Sequence, residues 1–77
     1  MALYQYSNFG GTQIYFSGVG TINLADYGFA DMTEAINIAA NGAFYDGNGN
    51  QLTFYYGDEQ ADLGTWDNRI TSFTVVS

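Results

Sequence analysis

The chain has 77 residues, of which 47% are hydrophobic and only 12% are charged, so it has the composition of a folded protein with enough residues for one hydrophobic core but not for two. Eight Asp and Glu residues against a single Arg, with no Lys or His, give a net charge of −7, which argues against nucleic acid or an anionic membrane surface as a partner and favours cations. The absence of Cys excludes disulfides and thiolate metal sites, and a bound ion could replace the disulfides that stabilise many small domains.

Targeting and catalytic signals are not visible in the sequence. No apolar run approaches the roughly 20 residues of a membrane helix, and no basic segment followed by an apolar one is found at the N-terminus. We therefore expect no membrane partner. The compartment stays undetermined, with an extracellular origin or a place in a larger secreted protein favoured. Without His, Cys, Lys or a nucleophile motif, we expect a protein that is not an enzyme.

The first half of the chain consists of short segments in which apolar and polar residues alternate, a pattern typical of β-strands. These segments are residues 2–6, 12–17, 21–24 and 35–38. Glycine-containing turns at residues 7–11 and 18–20 separate the first three segments, and a polar and aromatic connection precedes the fourth. The pattern predicts four strands.

The second half repeats this order. Strands are predicted over residues 43–46 and 52–56, with an Asn48-Gly49 turn between them, and a closing strand contains Phe73. Leu52, Phe54 and Tyr56 are predicted on one face of the second of these strands. In our preferred alignment, Phe44-Tyr45-Asp46 corresponds to Leu3-Tyr4-Gln5, and residues 66–73 correspond to residues 29–36. The chain is thus predicted to contain two motifs, about 1–40 and 41–77, and no helix longer than about two turns.

The turn before the closing strand has a distinctive composition, Asp67-Asn68-Arg69-Ile70-Thr71-Ser72. It resembles the signature of βγ-crystallin Greek-key motifs, in which two Asn or Asp residues, two variable residues, a Ser or Thr and a Ser lead into the last strand. The spacing of Tyr4, Phe9 and Gly11 in the first hairpin also resembles this family, and it would let a ring lie on a glycine without a Cβ.

The resemblance implies a fold and a domain organisation. The fold is an all-β sandwich of two Greek-key motifs related by pseudo-twofold symmetry, formed by residues 1–77 as a single domain. In the first motif the corresponding signature is residues 30–35, which keeps Asp31 but has Ala30 and Ala35 at the outer positions and Glu34 where a hydroxyl is expected. The second signature is therefore the better match.

The same resemblance implies up to two Ca²⁺ sites built from turn oxygens, the ligands that this hard ion prefers. In the family each site combines ligands from both signatures, so that the second Asn or Asp of one signature contributes to the site of the other. The first site, which we name the Thr71 site, would use Thr71, the Arg69 carbonyl, Asp31 and Asp46. The second, the Glu34 site, would use Glu34, the Met32 carbonyl, Asn68 and Gln5. The Thr71 site is expected to bind more tightly, because it keeps the family hydroxyl and receives two carboxylates.

Two functional hypotheses follow. The first is a monomeric calcium-binding, calcium-stabilised structural module. The second is a recognition domain for a carbohydrate or a protein partner, which would use Tyr6, Tyr15 and Tyr55 because these residues fall on the polar phase of their strands. A simpler interpretation of the signature also stays open, in which Asp67-Asn68 only caps a turn and Thr71-Ser72 are exposed strand residues.

Overall fold

The computed structural model describes residues 1–77 and contains eight short β-strands and two 3-10 helices. The strands are β1 (Ala2–Tyr6), β2 (Gly10–Tyr15), β3 (Gly20–Asn23), β4 (Ala35–Asn37), β5 (Gly42–Tyr45), β6 (Gln51–Phe54), β7 (Glu59–Gln60) and β8 (Ser72–Val75). The 3-10 helices are Leu24–Tyr27 and Gly64–Trp66. The prediction that no helix exceeds two turns is confirmed, and none of the helices has the length and apolar character to cross a membrane.

The strands form two antiparallel four-stranded sheets, in the orders β2-β1-β4-β7 and β3-β8-β5-β6. In each half of the chain, the first, second and fourth strands belong to one sheet and the third strand belongs to the other sheet, because β3 pairs with β8 and β7 pairs with β4. This exchange makes each half a Greek key. The predicted all-β architecture of two Greek-key motifs is therefore confirmed.

The register of the central strand pairs shows the correspondence between the halves. Leu3 of β1 lies opposite Ile36 of β4, and Phe44 of β5 lies opposite Phe73 of β8. All four side chains are buried. The pairs match the alignment predicted from the sequence, in which Phe44 corresponds to Leu3 and Phe73 to Ile36.

Both sheets contribute to one hydrophobic core, because alternate residues of each strand point towards the facing sheet. The rings of Phe44 and Phe54 lie 4.7 Å apart between centroids, and those of Phe44 and Phe73 lie 6.0 Å apart. The core cluster consists of Met1, Leu3, Leu24, Phe29, Ile36, Ile38, Ala40, Phe44, Phe54, Leu63, Ile70, Phe73 and Val75. Two sheets held by such a core fix the turns at their ends.

Two details of the strands differ from the sequence prediction. The position of strand β7 was not predicted, because it has only two residues, both exposed, and so shows no alternation. Strand β6 ends at Phe54, and Tyr56 is 73% exposed rather than on the buried face with Leu52 and Phe54. The strand ends there because Gly57 adopts a positive φ of 92° and the Asp58 carboxylate accepts a hydrogen bond from the Tyr55 amide, which together close a turn.

The first hairpin places a ring on Gly11, but the ring is that of Tyr6. A Cβ at Gly11 would collide with this ring, and Gly11 has a φ of 72°. Tyr4 instead packs edge-on against Phe9, with ring centroids 5.3 Å apart. The spacing of Tyr4, Phe9 and Gly11 therefore serves the hairpin through two separate contacts.

Candidate metal centre

The two signature turns hold each other through a reciprocal pair of backbone hydrogen bonds. The Asp31 amide donates to the Ile70 carbonyl, and the Asn68 amide donates to the Thr33 carbonyl, both at 2.9 Å. Asp31 and Asn68 have φ of 58° and 59°, a left-handed conformation that Asp and Asn tolerate better than most residues. The second Asn or Asp of each signature is thereby turned towards the opposite motif.

Each signature is also bonded to the first strand of its own motif. The Thr71 amide donates to the Tyr45 carbonyl and the Glu34 amide to the Tyr4 carbonyl, again at 2.9 Å each. Thr71 is consequently placed beside the residue that follows β5, and Glu34 lies beside the C-terminal part of β1. The structure has the pseudo-twofold arrangement on which the crossed ligand sets depend.

The residues of the Thr71 site come together around an open cavity of about 370 Å³. No hydrophobic residue lines it. The lining residues are Asp31, Asp46, Gly47, Asn48, Asn68, Arg69 and Thr71. All four residues predicted for this site are among them.

Several oxygen atoms at this cavity have unused acceptor capacity. The Asp31 side chain is exposed and takes part in no side-chain hydrogen bond within the protein, and the Arg69 carbonyl accepts none from the backbone. The Thr71 hydroxyl donates to the Tyr45 carbonyl and accepts from the Gly47 amide, both at 3.2 Å. These are the donor types that Ca²⁺ takes from turns.

Asp46 behaves differently from the expectation that its carboxylate is a ligand. Its side chain is only 3% exposed. Oδ1 accepts from the amides of Asn48 at 2.9 Å and Asn50 at 3.0 Å, while Oδ2 accepts from the Asn50 side chain at 2.8 Å and from Arg69 at 2.6 Å. The carboxylate therefore closes the β5–β6 loop, and the Asp46 carbonyl accepts no backbone hydrogen bond.

These hydrogen bonds hold the pKa of the Asp46 carboxyl well below its usual range, with the Asn50 side chain as the largest cause and Arg69 as the next. A lowered folded-state pKa means that the unfolded chain takes up this proton first as the pH falls. The stability that ionised Asp46 confers is then complete above about pH 5. Its loss begins as the pH falls to the unfolded value of 3.8 and continues down to the lower folded-state pKa.

We expect Asp46→Asn to lower stability at pH 7 and to reduce the loss of stability between pH 7 and pH 3. Urea unfolding at the two pH values, without added calcium, measures both effects. Asp26→Asn is the control, because Asp26 is exposed and its side chain makes no hydrogen bond in the protein. An equal acid-induced loss in Asp46→Asn and the unsubstituted protein would contradict this role of Asp46.

Arg69, the only basic residue, has a guanidinium group fixed by three contacts at the edge of the cavity. Nη2 donates to Asp46 Oδ2 at 2.6 Å, Nη1 donates to the Thr65 carbonyl at 2.9 Å, and the central carbon lies 4.8 Å from the centre of the Trp66 ring. The side chain remains 40% exposed. A cation of the protein itself thus borders the Thr71 site.

The side chains of the Glu34 site already make hydrogen bonds within the protein. Glu34 Oε1 accepts from the Ser7 hydroxyl and Oε2 from the Asn68 side-chain amide, both at 3.2 Å. The contact with Asn68 joins the two signatures, as the crossed ligand set requires. Gln5 Oε1 accepts from the Thr12 amide at 3.3 Å, so a Gln5 side-chain ligand would have to leave the first hairpin.

Negative charge accumulates on this side of the molecule. Partial burial raises the pKa of Asp67, and the neighbouring Asp62 carboxyl and the charge of Glu34 raise it further, against the hydrogen bond that the Leu63 amide donates to Asp67. Ionised Asp67 is therefore held at a cost in this environment. A cation near Glu34 would reduce that cost.

The structure contains no group of three or more His, Cys, Asp or Glu side chains placed to hold a metal. A calcium ion would therefore depend on carbonyl and hydroxyl oxygens together with one carboxylate. At the Thr71 site such atoms are present, and the Met32 carbonyl of the Glu34 site likewise accepts no backbone hydrogen bond. The donor set fits Ca²⁺, which accepts mixed oxygen ligands and water, better than it fits a metal that requires several charged ligands.

Comparison with known proteins found no family model and no curated protein that matches the sequence. A βγ-crystallin from Ciona intestinalis has a similar structure, with a TM-score of 0.80, 18% sequence identity, and an alignment that covers 97% of this chain and 96% of that one. The N-terminal domain of protein S is also similar, with a TM-score of 0.80, 21% identity, and coverage of 99% and 93%. The fold is that of a βγ-crystallin domain. At these identities the similarity establishes the fold alone.

The exposed tyrosines do not form one patch on this βγ-crystallin fold. Tyr6 and Tyr15 lie near opposite ends of the β1–β2 hairpin, since Tyr6 pairs with Gly10 and Tyr15 pairs with Ala2. Tyr55, which is 62% exposed, follows β6 in the other sheet. Beside it is a groove of about 300 Å³ without charged lining residues, bordered by Asn41, Gly42, Ala43, Tyr45, Gln51, Thr53, Phe54, Tyr55, Thr74 and Val76.

Two features of the site were missed from the sequence. The first is the Asp46 loop, for which a signal existed, because an Asp in a turn typically accepts a hydrogen bond from the backbone amide two residues later. The second is the Arg69 side chain, which was considered only for its carbonyl. No local pattern indicates that Arg69 reaches Asp46, which is 23 residues away in the chain.

Proposed function

We propose that this chain is a calcium-binding, calcium-stabilised structural module with a βγ-crystallin fold, and that it is a monomeric binding domain rather than an enzyme. The observation that supports this most directly is the crossed pair of signature turns. It brings the exposed Asp31 carboxylate to the same polar cavity as Thr71 and the Arg69 carbonyl. The single core shared by both motifs supports treating residues 1–77 as one domain.

The charge balance favours a cation over other ligands. Eight carboxylates face one guanidinium group, and the one ion pair, between Arg69 and Asp46, leaves the other acidic side chains without a basic partner. Two polar sites near the sheet ends would let Ca²⁺ offset this repulsion in the folded state. Because the unfolded chain lacks the crossed turns, ion binding would stabilise the folded form.

The Thr71 site is proposed to bind more tightly than the Glu34 site. In the former, the Asp31 carboxylate is exposed and makes no side-chain hydrogen bond that an ion must displace. In the latter, both Glu34 oxygens and the Asn68 side chain are already paired. Replacing these hydrogen bonds by ion contacts reduces the net gain on binding.

We expect Asp31→Ala to weaken the tighter of two calcium-binding events by about tenfold or more, the loss that corresponds to one charged contact. Asn68→Ala is the matched variant, because both residues have a positive φ and both substitutions carry a similar backbone cost. It should weaken the other event. Isothermal calorimetry of the chelated protein measures both events, and a reversed pattern would show that the crossed ligand assignment is wrong.

A second candidate function is recognition of a carbohydrate or a protein partner, favoured by the uncharged groove beside Tyr55. Aromatic rings with nearby hydroxyl and amide groups are common in recognition surfaces. A glycan and protein binding screen with the unsubstituted protein and Tyr55→Ala tests this. Binding that depends on Tyr55 in the presence of chelator would support recognition as a function independent of calcium.

A further inference from the structure

We infer that Arg69 is an internal counter-ion that competes with calcium at the Thr71 site, so that this side chain sets the calcium affinity of the domain. The inference rests on the proposed function. It deepens that function by naming the residue that controls the site, and it comes from the contacts of the Arg69 side chain rather than from its carbonyl.

The first step is that the guanidinium group lies at the Thr71 site, where its charge would repel a bound cation. Arg69 and Asp31 line the same cavity, and Nη2 of Arg69 bonds to Asp46 Oδ2 at 2.6 Å. A divalent ion held by Asp31, Thr71 and the Arg69 carbonyl would lie beside this positive charge. A divalent cation and a guanidinium group at the same cavity repel each other, and the repulsion is stronger where the surroundings are partly shielded from water.

The second step is that Arg69 can leave without unfolding the domain. Its side chain is 40% exposed, whereas Asp46 is 3% exposed. The Asp46 carboxylate would keep its three bonds from Asn48 and Asn50, so the loop stays closed after the guanidinium group moves into solvent. Asp46 can therefore lose Arg69 as a partner while it keeps its hydrogen bonds within the loop.

The third step is the consequence for the two states of the protein. In the absence of calcium, the bonds of Arg69 to Asp46 and Thr65 stabilise the fold. In the presence of calcium, part of the free energy of ion binding is needed to break these bonds of Arg69. Removal of the positive side chain should consequently lower the stability of the calcium-free protein and tighten calcium binding.

Trp66 provides a direct readout of the competition. It is the only tryptophan, and the guanidinium carbon lies 4.8 Å from its ring centre. If calcium displaces Arg69, the environment of this ring changes as the ion binds. Tryptophan emission then follows the movement of Arg69 separately from the heat of binding.

The test compares calcium titrations of the chelated full chain with those of Arg69→Met, which keeps the backbone carbonyl and an apolar stem against Trp66 but removes the charge. Arg69→Lys is the second variant, because it keeps the charge but loses the planar fork of donors. Gln13→Glu is the control for net charge. It also adds one unit of negative charge, at an exposed position of β2, a strand of the sheet that does not contain β5 and β8.

We expect Arg69→Met to bind calcium at the tighter event at least about tenfold more strongly, the fold-change that corresponds to one charge-assisted hydrogen bond, and to melt at a lower temperature in chelator. Arg69→Lys should tighten binding less, and Gln13→Glu should change it by less than about twofold because exposed charges are screened. Calcium should change the Trp66 emission of the unsubstituted protein more than that of Arg69→Met.

The outcomes separate the inference from the proposed function. Calcium binding by the unsubstituted protein with unchanged or weaker binding by Arg69→Met would overturn the competition while leaving the function intact. Binding by Arg69→Met alone would support the competition in its strongest form. If Arg69→Met does not fold, equal calcium affinities of Arg69→Lys and the unsubstituted protein together with an unchanged Trp66 emission overturn the inference. Absence of calcium binding in every variant would overturn both.

Discussion

Addition of millimolar Ca²⁺ to the chelated protein is expected to raise its melting temperature by more than about ten degrees. An ion that binds the folded chain and not the unfolded one adds about 2.7 kcal/mol at a hundredfold excess over the dissociation constant. In a domain of this size, each kcal/mol shifts the melting temperature by about four to eight degrees. A second occupied site would add to this shift.

The large effect follows from how little else stabilises the calcium-free domain. It has no disulfide, and a core of this size supplies only a few kcal/mol of net stability. Of the eight acidic side chains, Asp46 alone forms an ion pair, and the pKa of Asp67 is raised first by partial burial and then by the neighbouring Asp62 and Glu34. An ion at the sheet ends would act on this repulsion directly.

Thermal melts in chelator, in Ca²⁺ and in Mg²⁺, all at one ionic strength, measure the effect. Fixed ionic strength is needed because ordinary salt also screens the repulsion, and Mg²⁺ controls for divalent charge alone, since it dehydrates reluctantly and requires stricter geometry. The combined Asp31→Ala and Asn68→Ala variant should lose most of the shift. Equal midpoints in all three solutions would refute the calcium-stabilised module and favour the recognition domain.

The fold could be predicted largely because each half repeats one pattern. Alternation in β1 and β5 places Leu3 and Phe44 on the buried face, and the two signature turns recur at corresponding places, so two Greek keys follow from local patterns and their repetition. The position of strand β7 could not be predicted in this way. Its two exposed residues are held by pairing with β4, and pairing partners are a property of the folded chain.

The candidate site was predictable as a set of residues but not as a set of contacts. Reciprocal bonds between the turns bring Asp31 into the cavity of Thr71, as the family resemblance implied. Whether the Asp46 carboxylate faces an ion or its own loop depends on Asn48 and Asn50, and on where the long Arg69 side chain finds a partner. Such competition among several acceptors and donors is decided by packing, which a linear motif does not encode.

Gly42→Ala is expected to lower the melting temperature by about ten degrees or more, which corresponds to the upper part of the range for inserting a methyl group into a close-packed position. At the start of β5, a Cβ on Gly42 would overlap the carbonyl oxygen of Thr74 and lie 2.7 Å from Cζ of Phe54. The Thr74 carbonyl belongs to the neighbouring strand β8, and Phe54 is fully buried. Neither atom can move without separating two strands or disturbing the core, so the methyl group must force β5 away from β8.

Gly10→Ala is the matched control for this substitution. A Cβ at Gly10 would meet its nearest atoms, the Ser7 carbonyl oxygen and Cβ of Tyr6, at 3.5 and 3.6 Å, which are ordinary contact distances. Alanine also lowers the entropy of the unfolded chain, so Gly10→Ala should leave the melting temperature unchanged or raise it slightly. Thermal melts of both variants in chelator measure the difference without a contribution from bound calcium. Similar melting temperatures for the two variants would mean that β5 and β8 are not packed as closely at Gly42 as the structure requires.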